Sequence, residues 1–264
     1  MLVPDNTEIW RSINGDAFAL IDTVPGSPQQ FVDTDGMSAG DIWCYKVRNL
    51  AGNLTSSFSN EGCAVNQYTG TETGVVSHPT WMLAFGNFVP ADSDFVTSLN
   101  LSGLLSVSGI YSGDGTQLMT NLNLASLIHV GADLNLDNSV MLPSISLPSL
   151  VSIGGAFHCD GSDALTSLSV PAFVGPATGM FCDDCTLLAS VSVPSLIMRN
   201  GKSYTFDQDA LLAASVNAIL ARGIASGVTS ATITLDNGTN AAPSGQGVAD
   251  KAILIGLGNT VSTN

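Results

Sequence analysis

The sequence predicts a mainly β chain organised around a β-solenoid. Three observations carry that prediction. The frame L-x-x-L-x-L-x-x-L-φ, with φ apolar, recurs every 23 residues between Val96 and Met198. A second apolar pair follows about ten residues after the first, at Leu134/Leu136, Phe157/Cys159 and Met180/Cys182. Beyond Asp207 the spacing changes to the helical one, at Leu212, Val216, Ile219 and Leu220. A fixed period of about 20–50 residues marks stacked coils, because one repeat cannot bury its own apolar face and must lie on the next. The expected divisions are an N-terminal unit over 1–67, a linker and solenoid cap over 68–94, the solenoid over 95–206 and a helix-containing cap over 207–264.

The frame fits five times without a gap. Its first copy is Val96, Leu99, Leu101, Leu104 and Leu105, its third Leu142, Ile145, Leu147, Leu150 and Val151, and its fifth Leu188, Val191, Val193, Leu196 and Ile197. Alternating apolar and polar residues at both apolar groups predict two short strands per coil. An Asp follows the second strand at Asp137, Asp160 and Asp183, and again at Asp207 and Asp236 after longer spacings. The last stretch predicts a helix of about a dozen residues with Asp209 as cap and Gly223 as stop. It then predicts a strand over 230–236, a helix from Gln246 to about Leu257, and a closing Thr260-Val-Ser-Thr.

Composition bounds the function. The chain is 45% hydrophobic and only 11% charged, so its surface must be built from Ser, Thr, Asn and Gly. Seven Lys plus Arg against 22 Asp plus Glu give a net charge of -15, which excludes nucleic acid or an anionic membrane as partner, since phosphates would find no counter-charge. No apolar run of about 18 residues exists to span a bilayer. Met1-Leu-Val-Pro-Asp has no charged and apolar regions of a secretory signal, so a mature fragment, or release without a signal by cell lysis, is expected. Five cysteines cannot all pair internally.

Residues 8–66 resemble most of a fibronectin type III domain, through Glu8-Ile-Trp-Arg-Ser, Leu20-Ile-Asp-Thr-Val, Phe31-Val-Asp-Thr, Gly40-Asp-Ile-Trp-Cys-Tyr-Lys-Val-Arg and Ser59-Asn-Glu-Gly-Cys-Ala-Val. The resemblance implies inward Trp43, Tyr45 and Val47, and a sandwich short of two strands that a neighbouring chain completes or that the start truncates. Cys44 and Cys63 are symmetric about the Asn53/Leu54 turn and would face each other on a hairpin, as a disulfide or as two thiols. Residues 68–74 read as linker, and Trp81, Phe85 and Phe88 as a lid on the open coil or a ligand-binding aromatic cluster.

Leu147-Pro-Ser-Leu-Val-Ser-Ile-Gly-Gly-Ala-Phe and Cys185-Thr-Leu-Leu-Ala-Ser-Val-Ser-Val-Pro-Ser resemble the leucine-rich repeats of BspA-like surface proteins and the receptor L-domain type of coil. The tail, with Gly238-Thr-Asn-Ala-Ala-Pro-Ser-Gly-Gln-Gly, is similar to the module that follows leucine-rich repeats in predicted phage structural proteins. These resemblances imply a leucine-rich-repeat-type solenoid and a virion or surface component.

Outward neighbours of the first strand make two polar ranks, and Asn100, Asn123, Ser146, Ser169 and Ser192 are the candidate binding surface. Rungs about 4.8 Å apart would make it a flat, uncharged hydrogen-bonding face. It would serve solubility, contact with a protein or glycan, or an ice-binding lattice. The Asp column is compensated by turn N–H groups or by Ca²⁺. His158, Cys159, Cys182 and Cys185 could gather a Zn²⁺, although Cys159 and Cys182 hold a core register. No catalytic triad, phosphate loop or acidic pair is present, so the expectation is a non-enzymatic chain without cofactor. The expected role is structural and adhesive: a phage fibre or decoration protein docking through its N-terminal domain, at the virion surface or outside the cell, as a homo-oligomer or assembly subunit. Its partners would be other virion proteins and a host-surface glycan or protein. The alternative is a secreted bacterial adhesin or glycan-binding protein; a polysaccharide-degrading enzyme would need a carboxylate pair in a groove.

Overall fold

A computed structural model describes residues 5–26, 33, 35–38, 41–66, 74–89 and 95–264. The linker reading at 68–73 and, of the stretch Phe31-Val-Asp-Thr that enters the fibronectin resemblance, all but Asp33 fall outside them. The mainly β solenoid is as expected, but each regular coil folds into three short strands where alternation predicted two. The coil after Pro143 makes Ser144–Ser146, Ser152–Ile153 and Ala156–His158. All three pair in parallel with the residue 23 positions on: Ile145 with Leu168, Ser152 with Gly175 and Phe157 with Met180. Like residues therefore stack on like, and three ladders of strands form the faces of one body.

The overlooked middle strand holds a single inward residue per coil, at Val107, Val130, Ile153 and Pro176, too few to alternate. Inside, Leu101, Leu124, Leu147 and Val170 are fully buried above one another. Each such side chain contributes about 1.5–3 kcal/mol once covered, which no single coil can realise alone.

The first face is split. Asn121–Asn123 pairs back with Val96–Asn100, Ser144–Ser146 pairs forward with Ser167–Ser169, and the two sheets do not join. Proline explains it. Thr120 N–H donates to Thr97 O, Thr166 N–H to Pro143 O and Ala189 N–H to Thr166 O, but Pro143 has no N–H to give Thr120. Leu122 accordingly stacks on Leu99, not in an unbroken column with Ile145, and is only partly buried.

The aromatic stretch expected as a lid is a further rung. Trp81–Phe85 pairs with Ser106–Val107, Val76 with Leu99, and Phe88 bridges Tyr111. Trp81 and Phe88 are buried, whereas Phe85 is exposed. Next to this rung lies an antiparallel sheet of Asn6–Ile13, Ala19–Pro25, Ile42–Ala51, Leu54–Thr55 and Gly62–Asn66. Its last long strand pairs in parallel with Trp81–Phe85, so one sheet runs from the N-terminal strands along the solenoid's second face to Gly175–Pro176. These strands form one layer among the described residues. With no facing layer there, Trp43 is buried under the Arg11 guanidinium, Tyr45 is half-buried and Val47 is exposed, against the expectation that all three are core. Cys44 and Cys63 are cross-strand partners joined by a disulfide, one of the two pairings left open by the sequence.

At the other end helix α1 (Ala213–Ser226) lies over Ser190–Ser192, where Ser215 Oγ accepts the Val191 N–H. Helix α2 (Gln246–Gly256) packs on α1. The third face continues beneath them through Ser203–Thr205, Thr232–Leu235 and Thr260–Thr263, in register. Helix α1 runs through Gly223 to the left-handed Gly227, φ 61°. At Gly223 a Cβ would stand 3.1 Å from the Leu254 methyls, so this glycine lets the helices close rather than stopping one. Asp209 does not cap α1; it is buried, and its Oδ1 accepts the Cys185 N–H at 2.9 Å.

Candidate functional site

The predicted surface rank is brought together, with the Pro143 break across it. Asn100 pairs with Asn123 on one side, and Ser146, Ser169 and Ser192 pair in sequence on the other. The two parts differ in what their side chains do. Asn100 Oδ1 accepts the Ser102 N–H and Asn123 Oδ1 the Ala125 N–H, both at 3.2 Å, so these amides tie down the following corner. Asn100 also donates to Ser77 Oγ. By contrast Ser144, Ser146, Ser167, Ser169, Ser190 and Ser192 make no side-chain hydrogen bond among the described residues. Three rungs thus hold six hydroxyls in two columns, available to water or to a partner.

Two apolar ridges bracket this strip. At the corner after each first-face strand stand Met82, Leu105, Ile128, Val151, Val174 and Ile197, whose backbones form a continuous ladder at 2.8 Å per step. The frame counted these φ positions as inward. The structure puts Leu150 inside and Val151 outside, because successive residues point to opposite sides, and Ile128 and Ile197 are 44% and 49% exposed. At the corner before each strand stand Phe95, Leu118, Met141, Ala164 and Leu187, of which all but Ala164 are exposed. The signal was present in the sequence as apolar doublets, Leu118-Met119, Met141-Leu142 and Leu187-Leu188, only one member of which can face in. No Lys or Arg occurs between Arg48 and Arg199, so the rungs themselves contribute no Lys or Arg to the strip, and the Arg222 guanidinium of α1 reaches only its end, donating to Leu196 O.

Of the cysteine and histidine set, the three cysteines come together inside the solenoid and His158 does not join them. Alternation sends His158 outward, where it stacks on Phe181 with ring centroids 5.0 Å apart, and Cys159 inward, where it forms a disulfide with Cys182. Cys185 is free and buried, and its S–H donates to Cys159 O at 3.0 Å. That contact reproduces the one from Ser162 Oγ to Leu136 O, one coil earlier. Thr116, Ser139, Ser162 and Cys185 form an inward polar column, each buried: the Thr116 and Ser139 hydroxyls bond to each other, while Ser162 and Cys185 donate to rung carbonyls. Burial pushes the Cys185 thiol well above its ordinary range, so it is a hydrogen-bonding core residue rather than a ligand.

The Asp column is compensated by backbone N–H groups, but from the neighbouring rung and not from its own turn. Asp137 Oδ1 accepts from Asp160, Asp160 Oδ1 from Asp183 and Asp183 Oδ1 from Asp207, each at 2.7 Å. The following residue is left-handed in every coil, at Asn138, Gly161, Asp184, Gln208 and Asn237, with φ between 54° and 64°. Only Gly, Asn or Asp adopts this readily, and Gln208 is the departure. Burial raises the carboxyls of Asp137, Asp160 and Asp183, and the neighbouring carboxylates add to it. Asp209, inside the barrel with Oδ2 unpartnered, is pushed up to about 8 by burial first and by Asp183 and Asp160 after it.

No protein-family model matches the chain, and neither a curated protein nor a solved structure matches it. What the surface does is read from its own geometry. A stiff, uncharged strip of hydroxyls between aliphatic ridges can form hydrogen bonds and bury apolar area against a flat partner at little conformational cost, since its backbone is already ordered.

Proposed function

We propose that this chain is a non-enzymatic structural and adhesive protein, a fibre or decoration component of a phage virion. It docks through its N-terminal region and presents the first solenoid face outward. The single observation that carries the reading is the serine strip held between two exposed apolar ridges on in-register rungs. The similarity of the tail to phage structural modules supplies the setting. The N-terminal strand Ala19–Pro25, mostly exposed at the sheet edge, is where a strand of a neighbouring chain would add to the sheet.

The test has two arms. Native mass in solution reads assembly, and binding to whole host cells or their purified surface polysaccharide reads adhesion. A multimer that binds, and loses binding on Ser169→Arg or Val151→Asp while keeping its melting temperature, supports the proposal. A 27.1 kDa monomer that binds neither itself nor any cell surface ends it.

The Cys44–Cys63 disulfide favours a second reading, a secreted adhesin or glycan-binding protein, because such bonds persist in oxidising surroundings. Monomeric glycan binding by the same strip would select it.

A further inference from the structure

We propose that the third face carries a site for a divalent transition metal, Zn²⁺ first, formed by Asp137, His158 and Asp160. One ligand atom from each lies within 4.8 Å of the other two. The ladder produces the convergence. His158 is the last residue of the strand Ala156–His158 and Asp160 stands two residues on, in the turn that follows, flanking the inward Cys159. Asp137 is the neighbour of Asp160 one rung back, tied to it by the Asp160 N–H on its Oδ1.

The surroundings organise these groups as an outer shell organises metal ligands. One oxygen of each carboxylate is held by a backbone N–H, Asp137 by Asp160 and Asp160 by Asp183, which leaves the Oδ2 atoms for an ion. The imidazole is steadied by its stack on Phe181. Beside His158, one rung back in the same rank, Asn135 has a buried Oδ1 with no hydrogen-bond partner, an oxygen available as a further donor.

Charge argues the same way. No Lys or Arg occurs between Arg48 and Arg199, so the coils that carry Asp137, His158 and Asp160 contribute no Lys or Arg of their own. An ion from solution supplies what the chain lacks. One imidazole with two carboxylates suits Zn²⁺, which takes mixed nitrogen and oxygen donors at about 2.0–2.2 Å, rather than Ca²⁺, which wants about six to eight oxygens. Ligand atoms around such a tetrahedral ion stand about 3.3–3.6 Å apart, so the cluster closes by about 1 Å through side-chain rotation. Among the described residues the other compact donor group, Cys44, Glu61 and Cys63, has both sulfurs committed to a disulfide. The site is on a different face from the serine strip, and its failure would leave the proposed surface function untouched.

The experiment uses the full chain, stripped with chelator and kept oxidised, titrated with Zn²⁺ and separately with Ca²⁺ by calorimetry. One Zn²⁺ per chain is expected at micromolar affinity, with a rise in melting temperature and no comparable Ca²⁺ binding. His158→Phe keeps a ring on Phe181 but removes the nitrogen, and should weaken Zn²⁺ binding at least tenfold. Asp137→Asn keeps the acceptor for Asp160 N–H, should weaken it similarly, and decides the matter if His158→Phe fails to fold. Glu61→Gln should change nothing. No Zn²⁺ binding by the parent chain, binding that survives both His158→Phe and Asp137→Asn, or binding that is lost with Glu61→Gln overturns the proposal.

Discussion

In the N-terminal sheet Glu8 lies opposite Arg48 and Trp10 opposite Lys46, whereas in the solenoid Ser144 lies opposite Ser167 and Ile145 opposite Leu168. Antiparallel pairing brings different residues together, so opposite charges and rings can meet. Glu8 forms an ion pair with Arg48, which lies over Trp10 and Phe58, and Lys46 Nζ stands 3.9 Å from the Phe18 centroid. Parallel in-register stacking brings each residue against its own counterpart, so a Lys in the repeat would face a Lys about 4.8 Å away. The solenoid accordingly makes its first face from Ser and Asn and admits a charged column only where each carboxylate has an N–H from the next rung. Symmetry of the repeat, more than solubility alone, sets the composition of this chain.

Four perturbations test that contrast. The largest effect is expected from Phe157→Ala, which empties a fully buried site between Leu134 and Met180. A loss of about 3–5 kcal/mol in denaturant unfolding should follow and should spread along the rungs, because each coil is held by its neighbours. Removing the Cys44–Cys63 disulfide by double Ser substitution should cost about 2–4 kcal/mol and lower protection from hydrogen exchange in the N-terminal sheet alone. If the solenoid loosens equally, the two regions are one cooperative unit and the comparison fails.

Asp209 supplies a pH test. Its folded value of about 8 lies above the ordinary 3.8, so the folded chain keeps a proton that the unfolded chain has shed. Stability fully present below the unfolded value is therefore lost as pH rises toward 8. Asp209→Asn keeps an acceptor for Cys185 N–H, should flatten that decline and should add about 1–3 kcal/mol at pH 8. The smallest effect is on the first face. Ser169→Lys alone should be near neutral, but Ser146, Ser169 and Ser192 all replaced by Lys should cost about 1–2 kcal/mol, recovered in high salt.

Much of the fold was legible because repetition amplifies weak signals. Leu122, Ile145 and Leu168 announce rungs, and the aspartates mark a corner, although the Pro143 break shows that one missing N–H can interrupt a ladder the pattern calls continuous. The middle strand was not legible, since one inward residue at Val130 or Ile153 gives no alternation. Nor was the inward column of Thr116, Ser139 and Ser162, since hydroxyls read as surface until their buried partners, one another or the Leu136 carbonyl, are seen. Gly223 read as a helix stop because its contact with Leu254 is long-range. At the candidate surface the serines are legible, but the frame groups the ridge of Ile128 and Val151 with the apolar core positions and takes no account of the ridge of Leu118 and Met141, and the Asp137–His158–Asp160 grouping depends on knowing which side of the strand each residue leaves.

The bare stretch between Arg48 and Arg199 has a practical corollary. To trypsin the rungs are one uncut piece, bounded by cleavage after those two arginines, and amine-directed labels find nothing there to modify. Lysine-linked dyes or surface attachments will fall on Lys46 of the N-terminal sheet, on Lys202 at the last solenoid coil and on Lys251 in the C-terminal cap, so the molecule can be tethered by either of these regions with its serine strip left bare.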